Sequence, residues 1–280
     1  MHLFPHRKVG IDITQGIRMM LLSWRNLRNL INRADVVLEI VEARNPIATR
    51  SIRVERIIEH LNKTLIIVIN KCDLVPMWVC REWQQYFTTQ NIKTFYISSL
   101  TLAGIKRLKN FLDKAIVHRP ATVLLVGYPK VGKSSLINAL KGFKSAPTSP
   151  YPGSPGYTKS STLYKILPGV YIIDTPGIIP PEGDDIEMII RKTPIEAIQN
   201  PVKIAQKIIE KLKEFDIDII SNTYHVQSTE PLKILEEIAI KRGWMNKRDR
   251  EPNIDEAART IIRDYLRGKL TYYVLPSDTK

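Results

Sequence analysis

The stretch that most constrains this 280-residue chain is 121–140, ATVLLVGYPKVGKSSLINAL. Residues 123–126 form a short apolar run of the kind that makes a buried strand. The run leads into Gly127-Tyr128-Pro129-Lys130-Val131-Gly132-Lys133-Ser134, which fits G-x-x-x-x-G-K-[ST]. Residues 135–140 then have the spacing of a helix burying Leu136, Ile137 and Leu140. Strand, glycine loop and helix in that order are what a phosphate-binding loop requires. The competing reading, a glycine turn that happens to carry a lysine, does not account for the flanking elements. Gly127 and Gly132 let the backbone bring its N–H groups close to phosphate oxygens, and the helix N-terminus adds partial positive charge. The loop residues Pro129, Lys130, Val131, Gly132 and Ser135 are then candidate nucleotide contacts. Lys133 is expected to reach the β- and γ-phosphates, and the Ser134 hydroxyl to ligate Mg²⁺.

With 44% hydrophobic residues, the chain can bury a core for one larger and one smaller domain. No apolar run approaches ~18 residues, so no membrane span is expected. The start, MHLFPHRKVG, lacks the apolar core of a signal peptide. Cys72 and Cys80 are the only cysteines, and neither has zinc-site company, which points to a reduced, cytoplasmic protein. The net charge of +14 points to a polyanionic partner such as nucleic acid. Residues 1–180 hold 25 Lys+Arg against 10 Asp+Glu, whereas residues 181–280 hold 17 against 18.

In chain order, residues 1–22 read as a basic lead-in with His2, His6, Arg7, Lys8 and Arg18. It is followed by a helix over 24–33 and a strand over 36–41 ending in Glu42-Ala43-Arg44-Asn45-Pro46. Helical spacing resumes over 51–61. Residues 64–69 are an unbroken apolar strand, as in a parallel sheet covered on both faces. That strand leads into Asn70-Lys71-Cys72-Asp73. N-K-x-D at the end of such a strand is the guanine reader of GTPases. The Asp73 carboxylate can accept both guanine N1–H and N2–H₂. Asn70 can brace the phosphate loop, and the Lys71 stem can lie over the ring. Adenine does not present those donors, so it would leave Asp73 without partners. A helix covers 83–86 and a strand covers 93–97, ending in Ser98-Ser99, whose main-chain N–H groups suit the guanine edge. A helix over 105–117 precedes the phosphate-loop strand.

After the phosphate loop, residues 145–161 are rich in Pro, Gly, Ser and Thr and read as a long loop carrying Pro155-Gly156-Tyr157-Thr158-Lys159. Thr158 is the candidate to close onto Mg²⁺ and the γ-phosphate. A strand over 169–173 ends in Asp174-Thr175-Pro176-Gly177. There Asp174 suits Mg²⁺ through water, and the Gly177 N–H can sense the γ-phosphate. Helical periodicity over 186–190, 201–215, 232–242 and 255–266 makes residues 183–280 a helical domain. Its last part interleaves Lys241, Arg242, Arg259 and Arg263 with Trp244, Tyr265, Tyr272 and Tyr273. That mixture suits RNA, with a solvated helical face as the plainer alternative.

The guanine reader therefore precedes the phosphate loop, and D-T-P-G comes last, the same set of parts cut at another loop. The motifs V-E-A-R-N-P, N-K-C-D, G-Y-P-K-V-G-K-S-S, P-G-Y-T-K and D-T-P-G-I resemble those of circularly permuted GTPases of the YlqF/RbgA/YawG type. The resemblance implies a permuted P-loop GTPase domain over 23–182. Its α/β fold would be a mostly parallel sheet with helices on both faces, followed by the small helical domain. It also implies Mg²⁺-dependent hydrolysis of GTP to GDP and phosphate, in assembly of the large ribosomal subunit precursor through rRNA. It names no stable protein partner and no membrane. An RNA-binding assembly scaffold that holds GTP as a structural ligand stays open beside it. The motif set departs from common expectation twice. Ile178 stands where many GTPases place the glutamine that orients water, so the resemblance points to His6 in the N-terminal region for that role. Lys130 stands where relatives often have an asparagine that helps hold K⁺, which questions K⁺ activation and offers the lysine ammonium as a replacement.

Overall fold

The computed structural model describes residues 24–142, 162–174, 179, 186–246, 248 and 250–279. The basic segment 1–22 with His6, the loop carrying Thr158, and Gly177 lie outside the described residues. Helix α1 (Trp24–Arg33) buries Leu27, Leu30 and Ile31, one apolar stripe at helical spacing. Strand β1 (Val36–Glu42) is buried along its whole length, including two glutamates. Helix α2 (Ile52–His60) starts at Ser51, whose hydroxyl accepts the Val54 N–H. Strand β2 (Thr64–Asn70) follows, then α3 (Met77–Thr89), β3 (Lys93–Tyr96) and α4 (Ile105–Ala115). Strand β4 (Ala121–Val126), helix α5 (Lys133–Lys141), and strands β5 (Thr162–Leu167) and β6 (Val170–Asp174) complete the sheet region.

The six strands run in the order β3-β2-β1-β4-β6-β5, all parallel except β5, which is antiparallel to β6. The order reverses between β1 and β4. In an open α/β sheet the ligand crevice lies outside the carboxyl ends of the strands at such a point. Glu42 ends β1, Asn70 ends β2 beside it in register, and β4 runs into Gly127.

Helices α6 (Ile186–Lys192), α7 (Pro201–Phe215), α8 (Ile219–Tyr224), α9 (Pro231–Lys241) and α10 (Ile254–Arg267) build a second core around Ile208, Leu212, Leu235, Ile261 and Tyr265. The chain then returns to the sheet region. Val274 packs among Val79, Trp83 and Phe87 of α3, its N–H donates to the Arg44 carbonyl, and its carbonyl accepts the Trp83 indole N–H. Among the described residues, no helix is long and apolar enough to cross a membrane.

Several elements differ from the sequence expectation. Strand β5 was not anticipated, because a register shift between Lys165 and Leu167 breaks the alternation and buries Leu163 and Ile166 at a spacing of three. Helix α3 spans 13 residues rather than four, since Val79, Cys80, Trp83 and Phe87 form its buried stripe. Helix α4 ends at Ala115, leaving Val117 79% exposed. Of the four aromatics read as an RNA platform in the helical region, two are core: Tyr265 and Tyr272 are buried and stack at 5.4 Å, while Trp244 and Tyr273 are half-buried.

Candidate functional site

The loop between β4 and α5 is shaped by two glycines at which any side chain would be strained. Gly127 has φ +148°, and a Cβ there would stand 2.6 Å from the Ile40 carbonyl oxygen. Gly132 has φ +101°, and a Cβ would lie 2.3 Å from Asn70 Nδ2. That close approach is used: Asn70 Nδ2 donates to the Val131 carbonyl at 3.0 Å. The Asn70 Oδ1 accepts from the Ser99 N–H at 3.1 Å and the Ser99 hydroxyl at 3.0 Å. One buried asparagine thus ties together the β2 end, the 98–101 loop and the glycine loop. Asp73 is exposed, oriented by the Ser98 hydroxyl, which donates to its Oδ1. Its carboxylate keeps accepting capacity toward solvent.

Lys133 starts α5 and folds back over its own loop, donating to the carbonyls of Gly127 at 2.6 Å and Tyr128 at 2.7 Å. Ser134 and Ser135 are exposed at the helix N-terminus, Pro129 is half-buried and Val131 is buried. Asp174 ends β6, two strands from β1 across β4.

Lys130 reaches away from the loop. Its ammonium, which the sequence offers as a replacement for K⁺, donates to the carbonyls of Ile190 at 2.7 Å and Thr193 at 3.2 Å. Those carbonyls lie at the C-terminal end of α6, where unpaired backbone oxygens and the helix dipole attract a cation. Burial, with the Arg191 charge added, pushes the Lys130 ammonium below the usual lysine range.

Beneath the site lies an ion network that the motifs did not announce. Glu42 is 1% exposed, and it accepts from Arg44 Nε at 2.6 Å, Lys71 Nζ at 2.9 Å and Arg191 Nη2 at 3.0 Å. Arg191 also holds Glu187, one turn earlier on α6. Glu187 accepts from the Tyr265 hydroxyl at 2.7 Å, and the Tyr265 carbonyl accepts from Arg44 Nη1 at 2.8 Å. Burial alone would raise the Glu42 carboxyl, but the charges of Arg191, Arg44 and Lys71 outweigh it and hold it well below the usual range. Lys71 itself sits at φ +64° and is lowered by burial, with Glu42 opposing in part. The only sequence signal for this network is an acid at the end of a fully apolar strand, with an arginine two residues on.

The RsgA GTPase family profile matches residues 22–182, which is more than half of the chain and includes both nucleotide loops. The chain belongs to the RsgA GTPase family. A GTP-binding protein of Methanocaldococcus jannaschii is 33% identical to this chain over 251 residues, covering 88% of this chain and 65% of its own length. Nucleolar GTP-binding protein 2 of Saccharomyces cerevisiae is 31% identical over 263 residues, covering 91% of this chain and 53% of its own. The chain thus spans about half to two thirds of these curated relatives. The GNP-bound YlqF of T. maritima superposes with a TM-score of 0.64 and 26% identity, covering 91% of this chain and 98% of that one. The fold is that of a circularly permuted GTPase, with its guanine-type loop ahead of its phosphate loop.

For this RsgA GTPase, Gly132→Ala is expected to strain the φ +101° backbone and to displace Asn70 from Val131. A strained residue of this kind costs about 1–3 kcal/mol, so GDP affinity should fall roughly ten- to hundredfold. Titration calorimetry of the variant with GDP checks it.

Proposed function

We propose that this chain binds guanine nucleotide between residues 70–73 and 127–135 and hydrolyses GTP to GDP and phosphate. We propose further that it uses this cycle as a switch in assembly of the large ribosomal subunit precursor, in contact with rRNA. The observation that carries the reading is Asn70, which couples the loop holding the exposed Asp73 carboxylate to the glycine loop through the Val131 carbonyl. Asp73 then selects guanine, Ser98 orients that carboxylate, and Ser99 and Lys71 frame the base. Lys133 exchanges two loop carbonyls for phosphate oxygens on binding.

The donor set fits Mg²⁺ as far as it is described: the exposed Ser134 hydroxyl at the start of α5 is the position from which a hydroxyl meets the metal. Mg²⁺ when bound neutralises charge between the phosphates. Thr158, Asp174 and Gly177 are proposed to complete the γ-phosphate side, and His6 to supply the group that Ile178 lacks. K⁺ activation is no part of this proposal, because Lys130 stands where relatives often have the asparagine that helps hold K⁺. We take 23–182 as the GTPase domain and 183–280 as the helical domain, and place the protein in the cytoplasm on its two free, buried cysteines.

Two measurements test the reading. Asp73→Asn should lose GTP and gain xanthosine nucleotides, whose C2 carbonyl accepts from the new amide. The unaltered protein should prefer GTP over ATP by about 10⁴, and equal binding of the two sinks the guanine assignment. Single-turnover hydrolysis should accelerate on adding large-subunit particles, by ~10³–10⁵ if the particle supplies the missing group. Unaccelerated hydrolysis with intact particle binding leaves the scaffold reading in its place.

A further inference from the structure

The positive charge of this chain belongs to its first 180 residues, and the helical region's best stacking rings, Tyr265 and Tyr272, are buried. A strip of exposed and half-buried aromatics with cations beside them lies at the β3 edge of the sheet, between α3 and α4. Trp78 is 47% exposed in the first turn of α3 and meets Tyr273 edge-on at 5.6 Å. Arg81 stands one turn further along α3, on the same face as Trp78. Tyr96 ends β3, and the Arg107 guanidinium of α4 lies 4.3 Å over its ring and donates to its carbonyl. Hydrogen bonding from Arg107, with Arg81 adding to it, holds the Tyr96 phenol below the usual tyrosine range. Beside this strip opens a cleft of about 510 Å³ lined by Met77, Tyr96, Lys106 and Arg107, with no carboxylate in its lining.

We propose that the strip Tyr273–Trp78–Arg81–Tyr96–Arg107, with its adjoining cleft, is a binding site for single-stranded RNA. The chemistry favours that occupant over others. Alternating flat rings and cations match unpaired bases and phosphates taken in turn, with the rings stacking on any base and the arginines meeting the backbone. A duplex keeps its base faces covered and has no use for Trp78. An acidic peptide satisfies the arginines but offers no flat faces to the indole. The cleft adjoins the nucleotide loops without including their contact groups: Cys72, Ala103 and Gly104 line it, but none of Asn70, Lys71, Asp73, Ser98, Ser99 or residues 127–135 does. The proposal rests on the reading that RNA is a partner of this GTPase.

The test uses the full chain loaded with GDP and a fluorescent 12-nucleotide oligouridine, followed by anisotropy at several salt concentrations. Trp78→Ala should weaken binding about tenfold, and Trp78→Phe should restore most of it. Arg81→Ala with Arg107→Ala should lower the slope of log affinity against log salt by about 1.4, the single-strand value for two phosphates. GDP affinity should stay unchanged in all three variants, which shows the fold intact. Unaltered oligouridine binding by Trp78→Ala and by the double variant overturns the site while leaving RNA as a partner. Absence of any RNA binding by the unaltered chain removes RNA from the proposed function as well. Binding of a polyglutamate peptide with the same Trp78 dependence overturns the assignment in favour of a protein ligand.

Discussion

Replacing Lys133 with alanine should lower kcat/KM for GTP by at least about 10²- to 10³-fold, the usual loss on removing one preorganised charge from a developing oxyanion. The expectation follows from where the ammonium sits. It is held over the glycine loop by the carbonyls of Gly127 and Tyr128, at 2.6 and 2.7 Å, on a helix that begins at Lys133 itself. No other described cation takes its place: Lys130, three residues earlier, reaches the end of α6, and Lys71 is paired with Glu42. The two loop carbonyls can turn to water in the variant, so folding stability should change by only about 1 kcal/mol. Thermal melting alongside steady-state kinetics separates the two effects. Undiminished turnover in a folded Lys133→Ala protein would remove this loop from the active site.

The second large effect concerns stability. Glu42→Gln should destabilise the fold by about 3–5 kcal/mol, because it leaves Arg44, Arg191 and Lys71 around a neutral amide in the interior. Glu42 and both arginines are at most 2% exposed, so solvent cannot take over the lost interaction. The sign of the pH dependence follows from the depressed carboxyl. The folded protein binds this proton less readily than the unfolded chain, so the contribution is full above the ordinary glutamate value and fades as pH falls below it. Urea unfolding at pH 7 and at pH 3 should therefore show a large gap between unaltered and variant protein at the first pH and a narrower one at the second. A gap that widens on acidification would contradict the ion network.

The parts of the fold that were legible in the sequence are those where local pattern and tertiary environment agree. The runs that became β2 and β4 are apolar throughout because both faces are covered, and the glycines of 127–132 stand where the backbone takes positive φ. The bulged β5 was hidden because its buried Leu163 and Ile166 stand three residues apart, a spacing that breaks the period of two expected of a strand. Tyr265 and Tyr272 misled for a different reason: a tyrosine between arginines looks the same in sequence whether its hydroxyl meets solvent or a buried glutamate. Lys130 read as a phosphate contact from its position in the motif, and only the proximity of α6 explains where its ammonium goes. The Glu42 cluster was beyond reach because its members lie up to 149 residues apart and meet only when α6 folds against β1.

The return of residues 272–275 to α3 has a mechanical meaning for any movement of the helical region. At one side that region is fastened by Arg191 to Glu42 and by Lys130 to the end of α6. Close by, Arg44 takes the Tyr265 carbonyl and the Val274 N–H, and the Val274 carbonyl carries the second fastening on to Trp83 of α3. A rigid body pinned at two separate points loses every rotation but one. It keeps one easy freedom, a roll about the line joining the pins. Any rearrangement that leaves both fastenings intact is therefore a twist of the helices about that line, with the largest displacement at the parts farthest from it.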